Sequence, residues 1–199
     1  MRTRRIARLL STACVAIVAA GCATAPSRFY TLEATASAPA DDAGTARYAV
    51  IVGPVSVPAS VDRPEFVVQV APNRVEVDEF NRWAAPLGDS IARAVAVDLT
   101  ALLGTPHVAT APLANFDPAY RVTIDVQRFE SIPGETTVLE AVWVVRKAAG
   151  GDVRSGRTVA REPVRGETFD ALAAAHSRAI AAMSADIAAA IRAQAGAAR

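Results

Sequence analysis

An apolar stripe near the C-terminus restricts the fold more than any other feature. Phe169, Leu172, His176, Ile180, Met183, Ile187 and Ile191 recur at intervals of three and four, which puts them on one face of an α-helix. Thr168 stands where an N-cap belongs, and Asp170 falls in the first turn, where the helix dipole favours an acid. Arg178, Asp186 and Arg192 lie mostly off the stripe, and Ala173, Ala174, Ala181, Ala188 and Ala189 are read as its back. Those alanines permit close packing, although high helix propensity explains them equally well. A helix with one apolar face needs a complementary layer to cover it, which the rest of the chain must supply.

Several stretches have the pattern of strands. Tyr48 to Val57 is rich in Val and Ile, ends at Pro58 and should bend at Gly53-Pro54. Phe66 to Val70 and Arg74 to Val77 flank Ala71-Pro72-Asn73, a hairpin by its turn residues. Tyr120, Val122, Ile124 and Val126 alternate with polar residues, so one face is buried and the other wet. Val138 to Val145 is apolar on both faces and is expected to lie centrally, covered on each side. Arg157 to Arg161 reads as an outer strand, and the short turns at Ile132–Glu135 and Gly150–Asp152 make these last three strands consecutive and antiparallel. His107 to Thr110 suggests one more short strand. A second helix carries Leu87, Ile91, Val95, Leu99 and Leu102, with Pro86 at its start and Gly104 at its stop. The expectation is an α+β fold: a largely antiparallel sheet packed by two main helices, including the long C-terminal one.

The N-terminus carries a different message. Arg2, Arg4, Arg5 and Arg8 accompany an apolar segment running from Ile6 to Ala20, followed by Gly21 and Cys22. A basic region, a short apolar run and small residues before a cut form a secretory signal; a spanning helix would need about 20 apolar residues. Val18-Ala19-Ala20-Gly21-Cys22 resembles the lipobox of bacterial lipoproteins, although Ala19 stands where leucine is usual. The resemblance implies cleavage before Cys22 and acylation of that cysteine, palmitate among the chains; cleavage at Cys14 would leave a very short apolar run. Ordinary secretion, with Cys22 near a new N-terminus, is the plainer alternative. One acyl chain holds a protein only marginally, whereas the several chains of that pathway suffice. Ala23 in place of aspartate after Cys22 implies, by the enteric sorting rule, the periplasmic face of the outer membrane.

The chain is thus divided into a signal peptide over 1–21, a lipidated N-terminus with a short strand and linker over 22–46, and an α+β domain over 47–199. Arg28 to Leu32 is β-prone and is expected to pair with a sheet edge, which leaves only Ala23 to Ser27 as the tether. If it stayed unpaired, the body would stand farther off the membrane. Ala34 to Ala46 is small and polar and reads as a flexible linker.

Removing the four signal arginines from 21 basic residues leaves 17 against 20 acidic, a net charge of about −3. That balance lacks the basic face nucleic acid requires. With Cys14 discarded and Cys22 acylated, no disulfide remains, so packing alone must hold the fold. The sequence contains no G-x-S-x-G, H-E-x-x-H, P-loop or G-x-G-x-x-G motif. Its two histidines have plain readings: His176 as a hydrogen-bonded core residue on the apolar stripe, His107 as a surface residue. Asp41-Asp42 is read as solvated linker. Glu76, Asp78 and Glu79 form either an acidic rim for a basic partner or a solvated strand end. Neither catalysis, a metal nor a cofactor is expected.

One constellation is specific. Gly53-Pro54-Val55, Pro58, Asp62-Arg63-Pro64 and Val67, followed by Asn81-Arg82-Trp83-Ala84-Ala85-Pro86-Leu87, resemble the signature of the PqiC-type lipoproteins, auxiliary subunits of ABC transporters with an MCE-domain protein. Phe29-Tyr30-Thr31-Leu32 is similar to the aromatic opening that follows the lipidated cysteine in that family. The departures are Ala59-Ser60-Val61, where a bulkier pair is usual, and Ala85, where an acid is common. The resemblance implies a non-catalytic, outer-membrane-anchored protein that receives the MCE conduit of a lipid transporter, as a homo-oligomer, and supports envelope integrity. Asp62, Arg63, Pro64 and Trp83 are the candidate partner-binding residues. From the residues themselves, the two prolines rigidify the loop, Asp62 and Arg63 could brace it, and Trp83 could anchor the following helix in the core. Two other classes stay open: a lipid-binding shuttle with an acyl chain between helices and sheet, and a structural or assembly lipoprotein of another envelope machine, such as a secretin pilot.

Overall fold

The computed structural model describes residues 26–37, 48–114 and 116–196. The expected signal peptide, Cys22, Asp41-Asp42 and most of the expected linker lie outside the described residues. In chain order the elements are β1 (Arg28–Tyr30), β2 (Val50–Ser56), β3 (Glu65–Ala71), β4 (Arg74–Trp83), α1 (Leu87–Leu103), β5 (Val108–Ala109), β6 (Tyr120–Ile132), β7 (Thr136–Lys147), β8 (Val153–Pro163) and α2 (Phe169–Gly196). The class is the expected α+β, but the strands form two sheets. One is five-stranded, in the order β5-β2-β6-β7-β8, and the other three-stranded, in the order β1-β4-β3.

In the larger sheet β6, β7 and β8 form the expected antiparallel meander, while β2 runs parallel to both β5 and β6. The register of β2 on β6 shifts between Val52 and Val55, at the anticipated bend, where the Gly53–Pro54 peptide is cis. Both helices pack on this sheet. Ile91, Val95 and Leu99 of α1 and Ile180, Met183 and Ile187 of α2 are fully buried against Val50, Val122 and Leu139. These side chains pack the interface between the helices and the sheet.

Thr168 caps α2 as expected, its Oγ1 accepting the amide of Ala171 at 3.2 Å. Gly104, at φ 64°, closes α1 in the left-handed conformation that glycine adopts without strain. The back of α2 is narrower than its sequence implies. Ala173 and Ala188 are buried, because α2 packs on β7 and β8 while also touching α1.

β7 is an interior strand, as its run of valines suggests, but it lies next to the β8 edge rather than at the centre, and only one of its faces is fully covered. Leu139, Ala141, Trp143 and Val145 are buried beneath the helices, whereas Glu140, Val142 and Val144 are half-buried on the other side. Long arginine side chains supply the missing cover. Arg157 is paired across from Val142 and binds Glu140, and Arg128 approaches the same carboxylate at 3.8 Å.

Trp143 faces Gly156 across the β7–β8 ladder, and a Cβ on that glycine would lie 2.2 Å from the indole ring. The indole Nε1 donates to Thr158 Oγ1 at 3.0 Å, and Thr158 Oγ1 donates to Asp186 Oδ2 at 2.6 Å. The ring is therefore fixed and cannot step aside. Gly156→Ala is expected to destabilise the fold by about 1–3 kcal/mol, as overpacking does, measured by urea denaturation. A variant as stable as the parent would show that the ring relocates.

The N-terminal strand pairs as predicted. Arg28, Phe29 and Tyr30 run parallel to Asn81, Arg82 and Trp83. The linker reading fails at its first residues: 34–37 form a strap across the two helices instead of a flexible piece. Glu33 donates its amide to Ser177 Oγ at 3.0 Å, and Ala36 donates its amide to Asp98 Oδ1 at 2.9 Å. Asp98 is wholly buried and also accepts the Ser184 hydroxyl at 3.0 Å, so one carboxylate joins strap, α1 and α2. Composition could not show these partners, because they come from helices 62 and 144 residues away. Asp98→Ala would leave the half-buried Ala36 amide without its acceptor and the Ser184 hydroxyl with only the Ile180 carbonyl, at a cost of about 1–3 kcal/mol, and should speed hydrogen exchange at the Ala36 amide. Unchanged exchange there would show that the strap holds without the carboxylate.

Candidate partner-binding loop

The loop between β2 and β3 is built by its own backbone. The Pro58 carbonyl accepts the amides of Val61 at 3.0 Å and Asp62 at 3.1 Å, and the Val61 carbonyl accepts the amide of Arg63 at 2.8 Å. Val61 turns inward and is buried, which pins the loop to the core. Asp62, Arg63 and Pro64 are left exposed on the outside. The far end is tied as well, since the Pro64 carbonyl accepts the amide of Trp83 at 2.6 Å.

Trp83 goes elsewhere. Its indole is buried, stacked on Phe66 at 4.1 Å and edge-on to Phe129 at 6.0 Å. Tyr30 and Phe169 meet Phe66 edge-on from other sides, at 5.5 and 5.2 Å. This aromatic cluster joins the small sheet to α2 and β6. The structure therefore brings Asp62, Arg63 and Pro64 together at the surface and sets Trp83 beneath them as their support. β4 runs on to Trp83 rather than ending near Val77, so the residue closes a strand before Pro86 begins the helix.

The bracing expected between Asp62 and Arg63 takes another form. Arg63 Nε lies 3.9 Å from Glu65 Oε2, while Arg82 Nη2 bonds Glu65 Oε1 at 2.9 Å. Glu65 thus sits between two guanidiniums, one from the loop and one from β4. All three side chains are partly exposed, so the set contributes orientation more than stability. Glu65 and Arg82 are the residues that sequence reasoning missed, because cross-strand partners 17 positions apart have no local signature. Beside the loop, a groove of about 230 Å³ separates the β3–β4 hairpin from β6, lined by Val61, Val67, Gln69, Val75 and Arg128.

The other candidates fall where plain chemistry puts them. His107 is exposed. Glu76 and Glu79 are exposed on β4, and Asp78 Oδ1 accepts the amides of Phe80 and Asn81 at 2.9 and 2.8 Å. His176 is fully buried, its Nε2 lies 2.9 Å from Ser131 Oγ, and its ring stacks on Phe129 at 3.8 Å. A serine beside an imidazole is a nucleophile–base pair in composition, yet here both residues are sealed in the core. Among the described residues no three His, Cys, Asp or Glu side chains gather closely enough to hold a metal ion. Nor is any described helix long and apolar enough to cross a membrane.

The model of the family described as ABC-type transport auxiliary lipoprotein component matches residues 30–188 of the chain. The chain belongs to this family. The matched region starts in β1, takes in the loop and its Trp83 support, and ends within α2. Two solved structures share the fold. A crystal structure of an uncharacterized protein has TM-score 0.69 at 19% identity, covering 84% of this chain and 99% of its own. A crystal structure of a protein from Xanthomonas campestris has TM-score 0.66 at 20% identity, with the same two coverages. No curated protein matches the sequence. Membership makes the chain an auxiliary component of an ABC-type transport system, and it assigns the exposed loop no role by itself.

Proposed function

We propose that this protein is the outer-membrane-anchored, periplasmic auxiliary lipoprotein of an MCE-type ABC system that moves lipids between membranes. In this reading Cys22 carries the acyl chains, and the folded body, as a homo-oligomer, receives the far end of the MCE conduit without catalysing a reaction. Family membership over residues 30–188 is the observation that carries it. The loop supports it: Asp62, Arg63 and Pro64 are exposed, their backbone is fixed at both ends, and the Arg63 guanidinium is oriented by Glu65. A preorganised arginine with a rigid backbone loses little entropy on contact with a carboxylate-bearing partner.

Affinity capture from detergent-solubilised membranes tests the reading. The full-length chain is expected to enrich an MCE-domain subunit above a Cys22→Ala soluble control, and Arg63→Ala is expected to lower that enrichment while leaving the fold intact. Equal recovery of the subunit by the chain and by an unrelated lipoprotein would sink the transporter assignment. Unchanged capture by Arg63→Ala would sink only the role of the loop.

A further inference from the structure

Among the described residues, the longest open strand edge belongs to β8. It runs for 11 residues at the end of the five-stranded sheet, with β7 on one side and no strand on the other. In an antiparallel pair alternate residues turn their amide and carbonyl away from the neighbour, so such an edge offers a further strand a ready-made ladder. The inner face of β8 is already committed. Thr158 and Ala160 are buried, and the Thr158 hydroxyl bonds Asp186 of α2. The Pro163 carbonyl accepts Arg178 Nη2 at 2.7 Å, which closes the C-terminal end of the edge. The stretch from Val153 to Arg161 stays open.

The side chains on this edge decide which strand it admits. Arg154, Arg157 and Arg161 are all exposed, and the single acid of β8, Glu162, is held by Arg178 at 2.9 Å. Arg157 also bonds Glu140 on β7, a carboxylate already shared with Arg128. The edge therefore carries three cations and has no acid of its own left over. Arg157, Val159 and Arg161 stand on one outward face, with Val159 48% exposed between the two guanidiniums. Charged residues ordinarily keep strands off an edge, and here they do so selectively. A second copy of β8 would bring three more arginines against these three. An extended segment with acids opposite Arg157 and Arg161 and an aliphatic residue opposite Val159 gains a cross-strand pair at each position, worth about 0.2–1 kcal/mol apiece. Repelling like edges while attracting an opposite one is how partner choice is built.

We propose that the β8 edge is a strand-addition site for an extended acidic segment of a partner protein, with acids and an aliphatic residue at alternate positions. Main-chain hydrogen bonds along the edge supply the affinity, and Arg157, Val159 and Arg161 supply the choice of sequence. The site uses no residue of the Asp62–Arg63–Pro64 loop and does not depend on acylation of Cys22.

Hydrogen exchange of the full chain in detergent tests the site, with the peptide ETVTETTEV as probe and KTVTKTTKV as its charge-reversed control. The acidic peptide, in millimolar excess, is expected to slow exchange several-fold across residues 153–161, and the effect should weaken at high salt as exposed charges are screened. The lysine peptide is expected to leave exchange unchanged. The double variant Arg154→Glu, Arg161→Glu, made at exposed positions, should swap the two preferences. Arg63→Ala is expected to leave the acidic peptide's effect on β8 intact. No protection by either peptide, equal protection by both, or protection that falls outside β8 overturns the proposal. An edge already protected in a concentration-dependent oligomer, before any peptide is added, overturns it as well and makes a second copy the occupant.

Discussion

Acidification from pH 7 to pH 5 is expected to remove about 2 kcal/mol of stability, through one imidazole. Burial pushes His176 down to about 3 from its ordinary value of 6.5. Its ring is enclosed by Phe129, Trp83 and the Ser131 hydroxyl, and among the described residues Nδ1 has no hydrogen-bond partner to compensate a positive charge. The folded state therefore keeps the ring neutral while the unfolded chain takes up a proton below pH 6.5. The unfolded state binds more protons in this window, so stability falls as pH drops, by about 1.4 kcal/mol per unit until the folded pKa is reached. Asp98 acts in the opposite sense. Desolvation raises its carboxyl, so the folded state takes up that proton before the unfolded one and regains some stability at the acid end. Urea denaturation at the two pH values measures the difference. His176→Gln keeps a hydrogen-bonding side chain opposite Ser131 but cannot titrate, and its stability should be nearly flat between pH 7 and pH 5. An unchanged slope in that variant would assign the pH dependence elsewhere.

Trp83→Ala should be the most damaging single change, at about 3–5 kcal/mol. It empties the centre of an aromatic cluster whose members come from both sheets and α2, and such cavities collapse poorly. Arg63→Ala, on the exposed side of the same structure, should change stability by no more than about 0.5 kcal/mol. The pair separates two roles that the sequence pattern runs together. If Trp83→Ala unfolds with a normal midpoint yet fails to capture the partner, the indole is a contact residue. If its midpoint collapses, the indole is the prop and the loop is the contact.

Much of this could be read from the residues because it depends on local periodicity. The stripe from Phe169 to Ile191, the meander from Tyr120 to Pro163 and the stop at Gly104 each announce themselves within one element. The division into two sheets could not be read, because β1 joins β4 over about 50 residues of intervening chain and no pattern within Arg28–Tyr30 names its partner. Asp98 did leave a trace. It stands three residues after Val95 and next to Leu99, on the buried side of α1, where a lone acid signals a specific partner. The Arg63–Glu65–Arg82 set left none, since adjacency across strands follows from register, and a bulge between Glu65 and Phe66 shifts that register.

The parallel pairing of β1 with β4 also has a mechanical consequence. A pull along the strand axis on the chain ahead of Arg28, opposed by a load on the body, loads this pair lengthwise. It strains the rungs joining the two strands together rather than peeling them apart in turn. The strap beyond Tyr30 adds two further holds, at Ser177 and at Asp98, before any tension can reach residue 38 and the chain after it. Such an attachment behaves like a rope cleated at several points, as the proposed anchoring role would require.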